Sequence, residues 1–155
     1  TANGITIYDD YAHHPTEITA TLDGFKEGTK RRIVTLFQPH LYSRTRDFYK
    51  EFANAFFSCD CLILAPIYPA REEPIEGVSS KLIADAAIQS GHHNVVLIEK
   101  NEDIVPLTLS LLKPNDILIT MGAGNIWQYG EEILKELKKA VDKNSKSEND
   151  KNLEK

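Results

Sequence analysis

Short apolar runs alternate with longer stretches of helical periodicity along the whole chain. Ile5–Asp9, Arg32–Phe37, Cys61–Ala65, Asn94–Glu99 and Asp116–Met121 are brief, β-branched or apolar, and bounded by polar residues, which predicts five strands. Between them the period lengthens. Pro15–Lys26 carries Ile18, Leu22 and Phe25 on one side, and Thr45–Phe57 carries Phe48, Phe52 and Phe56 on one stripe. A third helix is expected from a Ser79 or Ser80 cap to about Gln89, ended by Gly91. Glu102–Leu112 reads as a fourth, and Asn125–Val141 as a fifth with Ile126, Ile133, Leu137 and Val141 facing inward. Pro66–Val78 is an irregular stretch rich in Pro and Glu. Strict strand–helix alternation predicts an α/β fold: a mostly parallel sheet with helices on both faces, joined by right-handed crossovers. No internal repeat is visible.

Bulk composition narrows the classes. The 155 residues suit one domain, and 41% hydrophobic residues are enough for a real core. A formal net charge of −5 offers no general attraction for nucleic acid or an anionic membrane. No apolar run approaches the length needed to span a bilayer. Thr1-Ala2-Asn3-Gly4 has neither a signal peptide nor an initiator Met, so a segment of a longer protein is expected. From Lys143 the chain is almost wholly polar. A domain over 1–142 and a frayed polar tail over 143–155 are therefore expected. Cys59 and Cys61 lack a second pair, which argues against a zinc knuckle or disulfide framework and for reduced thiols.

In a parallel sheet all strand exits open on one edge, where ligands of α/β proteins bind. Three of the five exits carry unusual chemistry. The first reads Asp9-Asp10-Tyr11-Ala12-His13-His14-Pro15, two carboxylates and two imidazoles before a proline that can open a helix. Taken singly, Asp10 can be a helix cap and His13 an exposed loop residue. The second reads Gln38-Pro39-His40-Leu41-Tyr42-Ser43-Arg44-Thr45-Arg46. Arg44 offers a planar fork of donors for a carboxylate or phosphate, and His40 can add another. Cations are disfavoured at a helix start, so Arg44 and Arg46 there call for an anionic partner. The fifth exit, Gly122-Ala123-Gly124-Asn125, is a glycine turn whose backbone amides and helix N-terminus suit an anion. Glycines in such a turn can equally be turn chemistry alone.

Other chemistries find little support. No Gly-X-X-X-X-Gly-Lys-Ser/Thr loop occurs, so the chain does not cradle a triphosphate in the P-loop manner. No Ser or Cys nucleophile stands in a recognisable elbow. His92 and His93 lie past a helix end on the opposite edge and are expected in a surface loop. The imidazoles show no metal-ligand spacing, and no metal site is assigned.

Together, Asp9 to Glu17, Phe37 to Thr45, Gly122 to Ile126 and the intervening Tyr68-Pro69-Ala70-Arg71-Glu72-Glu73-Pro74 resemble the C-terminal domain of the Mur ligases. The closest likeness is to the branch that adds L-alanine to UDP-N-acetylmuramate. It covers about residues 3 to 140, in the right order. The resemblance implies a Rossmann-like domain of a cytoplasmic bacterial enzyme of peptidoglycan precursor synthesis, with separate UDP-binding and central ATPase domains. ATP and Mg²⁺ would be held mainly by that central domain, and this chain alone would be inactive. Asp10 would accept hydrogen bonds from the ATP ribose, and His13 would lie against the phosphates. His40 and Arg44 would hold the L-alanine carboxylate, with Gly122, Gly124 and Asn125 lining the pocket. The implied reaction moves the γ-phosphoryl group to the muramoyl carboxylate, and the alanine amine then displaces phosphate. Murein peptide ligase, which takes a whole tripeptide, shares the first exit but departs at the second. A stand-alone nucleotide- or anion-binding module is the alternative from another class.

Overall fold

A computed structural model describes residues 1–153, with side chains as far as Ser145. Five strands, β1 (Thr6–Asp10), β2 (Ile33–Phe37), β3 (Cys61–Leu64), β4 (Val95–Leu97) and β5 (Ile117–Met121), alternate with five helices. These are α1 (Pro15–Gly28), α2 (Tyr42–Ala55), α3 (Lys81–Gln89), α4 (Ile104–Leu111) and α5 (Ile126–Leu153). The strands form one sheet in the order β1-β5-β2-β3-β4, and every ladder is parallel.

Alternation along the strands divides the interior into two layers. Ile33, Phe37, Leu62, Leu64 and Ile119 face α1–α3, where they meet Ile18, Leu22, Phe52, Phe56 and Ile83. Val34, Leu36, Ile63 and Leu118 point the other way, onto Ile104, Ile126 and Ile133 of α4 and α5. Every residue of the inner strands β2 and β5 is buried, as a strand covered on both faces requires. The chain runs from β1 to β4 with its helices on one face, then crosses by α4 to the other. β5 is thereby inserted between β1 and β2, which makes this the place where the strand order reverses. Register sets Asp10 and Phe37 opposite Met121, and Leu64 opposite both Phe37 and Leu97. The five exits therefore leave from one level rim.

Several local expectations change. α2 starts at Tyr42 rather than Thr45, and its inward stripe is Thr45, Tyr49, Phe52 and Phe56; Phe48 is largely exposed. The reason is helical phase, since 45, 49, 52 and 56 repeat at three and four residues whereas 48 falls beside that line. His92 is not a surface residue. It is buried, receives the Asn94 amide on Nδ1 (3.3 Å) and donates from Nε2 to the Cys59 carbonyl (3.2 Å); His93 is exposed. Burial pushes the Cys59 thiol up to about 12, so it is inert. Ser80 does not cap α3 but donates to the Ala65 carbonyl (2.5 Å), while Ser79 Oγ receives the Lys81 amide (3.2 Å). The polar segment expected to fray from Lys143 contains neither Gly nor Pro, and the α5 backbone continues helically through it to Leu153. The last two residues of that expected tail lie outside the described residues.

Candidate functional site

At the β1 exit the chain folds back on Asp10. Its Oδ1 accepts the Ala12 amide (2.7 Å) and its Oδ2 the Thr21 hydroxyl of α1 (2.9 Å), so Asp10 holds the turn rather than capping the helix. An ionised carboxylate has further lone pairs, leaving Asp10 able to accept more. Asp9 points away and receives the Thr120 hydroxyl (2.6 Å). The His13 Nδ1 lies 2.8 Å from the Tyr11 carbonyl, an acceptor only. That places the proton on Nδ1 and leaves the Nε2 lone pair free.

The second and fifth exits are tied together by Gln38. Its amide donates to the Met121 carbonyl (3.0 Å), and its buried side chain donates from Nε2 to Asn125 Oδ1 (2.9 Å). The two glycines are required by this closeness. A Cβ on Gly122, whose φ is 148°, would meet the Gln38 carbonyl oxygen at 2.8 Å. One on Gly124 would meet Gln38 Oε1 and Tyr68 Cγ, each at 2.6 Å.

Tyr68 arrives from the Pro-rich exit of β3. It is paired by backbone to the second exit, through Tyr68 N to Pro39 O (2.8 Å) and Leu41 N to Tyr68 O (3.0 Å). Its ring stacks on His40 with centroids 5.7 Å apart and planes 16° from parallel. Leu41 adopts φ 72°, which turns the chain sharply into α2. Glu72 closes the loop by accepting the Ser43 amide (3.0 Å) and the Ser43 hydroxyl. Those two hydrogen bonds hold its carboxyl below the usual range and put a negative charge at the α2 N-terminus.

His40 and His13 face one another with ring centroids 6.3 Å apart. Desolvation lowers the His40 pKa from its ordinary 6.5, the Arg44 and His13 charges lower it further, and Glu72 opposes them. Arg46 turns instead to its neighbour Asp47 (2.8 Å). Among the described residues five buried side-chain polar atoms lack a hydrogen-bond partner, and three belong to this rim: His40 Nδ1, Arg44 Nη1 and Gln38 Oε1. Two donor-bearing groups four residues apart, one of them permanently cationic and near enough to lower the other's pKa, thus lack an acceptor. An anion with at least two oxygens would satisfy both.

The rim therefore gathers Asp10, His13, His40, Arg44, Gly122, Gly124 and Asn125, as the strand-exit argument expects. Gln38, Tyr68, Glu72 and Thr21 join them without having been singled out for a role. Tyr68 and Glu72 stood within the Tyr68–Pro74 motif and Gln38 within the second strand exit, whereas Thr21 stood in no motif.

A parallel, doubly covered sheet whose switch point carries an unpartnered guanidinium nitrogen and an unpartnered imidazole nitrogen defines a Rossmann-like domain. The chain belongs to the Mur ligase family, since the model described as "Mur ligase, glutamate ligase domain" matches residues 1–124. A UDP-N-acetylmuramate–L-alanine ligase of Geotalea uraniireducens is 48% identical over 134 residues, 86% of this chain and 29% of that protein. The ligase of the same name from Salinibacter ruber is 49% identical over 129 residues, 83% of this chain and 27% of that protein. The chain thus spans less than a third of the length of these curated relatives. Among solved structures, a UDP-N-acetylmuramate–alanine ligase of Thermotoga maritima superposes with a TM-score of 0.68 at 25% identity, over 88% of this chain and 27% of that one. A murein peptide ligase of Psychrobacter arcticus superposes with a TM-score of 0.71 at 24% identity, over 88% and 28%, a likeness of fold alone. No helix among the described residues is long and apolar enough to cross a membrane.

Proposed function

We propose that this chain acts as the amino-acid-binding domain of an ATP-dependent ligase that joins L-alanine to UDP-N-acetylmuramate. The observation that carries the reading is the pair of buried, unpartnered groups, Arg44 Nη1 and His40 Nδ1, four residues apart at the switch point. Leaving such groups unpaired costs about 1–3 kcal/mol each, and the α-carboxylate of an amino acid is a bidentate acceptor of the right kind. The turn beside this pair is tightly filled, since a Cβ on Gly124 would meet Gln38 Oε1 and Tyr68 Cγ, each at 2.6 Å, and a close-packed neighbour favours a small side chain on the amino acid.

Asp10 retains lone pairs for ribose hydroxyls at the adjacent exit, and a proton taken up on the free Nε2 makes His13 a donor toward the phosphates. ATP supplies the phosphoryl group that activates the muramoyl carboxylate. This chain holds the attacking amine in line by its carboxylate and adds positive charge beside the phosphates. Mg²⁺ on a nucleotide is held together with the phosphates, and the chain has no glycine-rich lysine loop to cradle them. The ion and the main phosphate cradle are therefore assigned to another domain. The test is phosphate release by the full-length enzyme with ATP and UDP-N-acetylmuramate, supplied either with L-alanine or with a stem tripeptide. Release that depends on L-alanine supports the reading; release that depends on the tripeptide instead overturns it in favour of a peptide ligase.

A further inference from the structure

The first turn of α1 carries a constellation of which the ligase reading uses His13 alone. His13, His14 and Glu17 each present one ligand atom, and all three atoms lie within 4.8 Å of one another. His14 occupies the N-cap position without making a side-chain cap, and Glu17 sits in the first turn. Neither side chain has a hydrogen-bond partner among the described residues, and both are exposed. His13 differs: its Nδ1–H is held by the Tyr11 carbonyl, which leaves the Nε2 lone pair as its free ligand atom. A backbone carbonyl on the far nitrogen is how proteins orient a metal-binding imidazole.

We propose that His13, His14 and Glu17 bind a divalent first-row transition ion of the zinc class, with water in the remaining positions. Two imidazole nitrogens and one carboxylate oxygen suit such an ion, whereas Mg²⁺ and Ca²⁺ call for oxygen alone. The helix N-terminus opposes a cation, but the Glu17 charge lies in the same turn and offsets it. Adjacent positions and an i, i+3 helical spacing give short reach among the three, so only side-chain rotation is needed to close the site. Cys59 and Cys61 are buried and do not compete for the ion. One consequence rests on the ligase reading: a bound ion takes the His13 Nε2 away from the nucleotide phosphates, so the site would act as a brake.

The decisive experiment is calorimetric titration of the full 155-residue chain with ZnCl₂, without nucleotide. Parallel titrations use His14→Ala, Glu17→Gln and, as a control on an unrelated exposed imidazole, His93→Ala. The expected result is one Zn²⁺ per chain, affinity weakened by roughly tenfold or more in His14→Ala and Glu17→Gln, and no change in His93→Ala. Circular dichroism confirms that the surface variants fold. Absence of zinc uptake, or uptake indifferent to both His14 and Glu17, overturns the proposal. Because no nucleotide is present, that failure leaves the ligase reading standing, and loss of the ligase reading leaves the titration unaffected.

Discussion

Arg44 and His40 each carry a buried side-chain nitrogen without a hydrogen-bond partner among the described residues. The Arg44 guanidinium carries a buried, unpaired nitrogen, so the folded chain is paying desolvation without a hydrogen bond in return. Arg44→Ala is accordingly expected to leave the melting temperature of the isolated chain unchanged or raise it. In the full-length enzyme the same change should raise the L-alanine KM by about 10- to 100-fold, the worth of a charge-assisted hydrogen bond of about 1.5–3 kcal/mol. Unchanged KM and kcat would remove Arg44 from the site. His40 adds a pH dependence with a definite sign. Its folded pKa is below the ordinary 6.5, chiefly by desolvation and then by Arg44 and His13. As pH falls, the unfolded chain takes up this proton first, so the stabilising contribution is full above 6.5 and is lost as pH drops through the lowered folded value. An NMR titration should find the His40 midpoint under 6.5, and His40→Asn should flatten this part of the stability–pH curve. A midpoint at or above 6.5 contradicts the partly desolvated placement of His40 near the Arg44 guanidinium.

Among the elements, β2, β3 and β5 were readable because each is a short, mostly apolar run, and α1 because Ile18 and Leu22 lie four apart behind Pro15. Phe48 was misassigned because a phenylalanine every four residues drifts off a 3.6-residue repeat, and the buried line runs through Tyr49 instead. The grouping of chemistry on one edge followed from parallel topology alone. How the rim is braced did not, because Ser43 meets Glu72 across 29 positions and Gln38 meets Asn125 across 87. Contacts at such separations leave no periodic trace. Nor does periodicity reveal that β5 slips between β1 and β2, the step that brings Gly124 under Tyr68. Gly124→Ala tests that packing. Its new methyl would press on Tyr68 and Gln38, with an expected loss of about 1–3 kcal/mol and a Tyr68 ring displaced from His40. Denaturant unfolding measures the first and the His40 chemical shift the second; a neutral substitution would show the turn to be roomier than described. Glu72→Gln should act more gently, since a carboxylate only half-buried is still screened by solvent. Faster exchange of the Leu41 and Ser43 amides is its expected signature.

At the scale of the molecule, one sheet is the shared wall of two apolar layers, so neither layer can melt without exposing strands that the other also needs. The edge opposite the rim is stitched just as firmly. Arg31 donates to the carbonyls of Gly4 (2.8 Å), Asn115 (2.9 Å) and Asp116 (2.8 Å), and Arg32 pairs with the buried Asp116 carboxylate (2.7 Å). Such a chain should unfold on its own in a single cooperative transition. Its site is another matter. The donors on the rim can hold a carboxylate and brush a phosphate, but the sequence contains no glycine-rich lysine loop to grip a triphosphate, and the chain matches under a third of its relatives' length. A wall that completes a cleft by moving onto its partner contributes nothing to turnover until the partner is there. The purified chain is therefore expected to fold yet to release no ADP when given ATP, Mg²⁺, UDP-N-acetylmuramate and L-alanine, while the full-length enzyme does. A coupled ADP assay compares the two directly. Alanine-dependent ADP release by the isolated chain would mean that the rim grips and activates the nucleotide unaided, and the division of labour argued here would have to be abandoned.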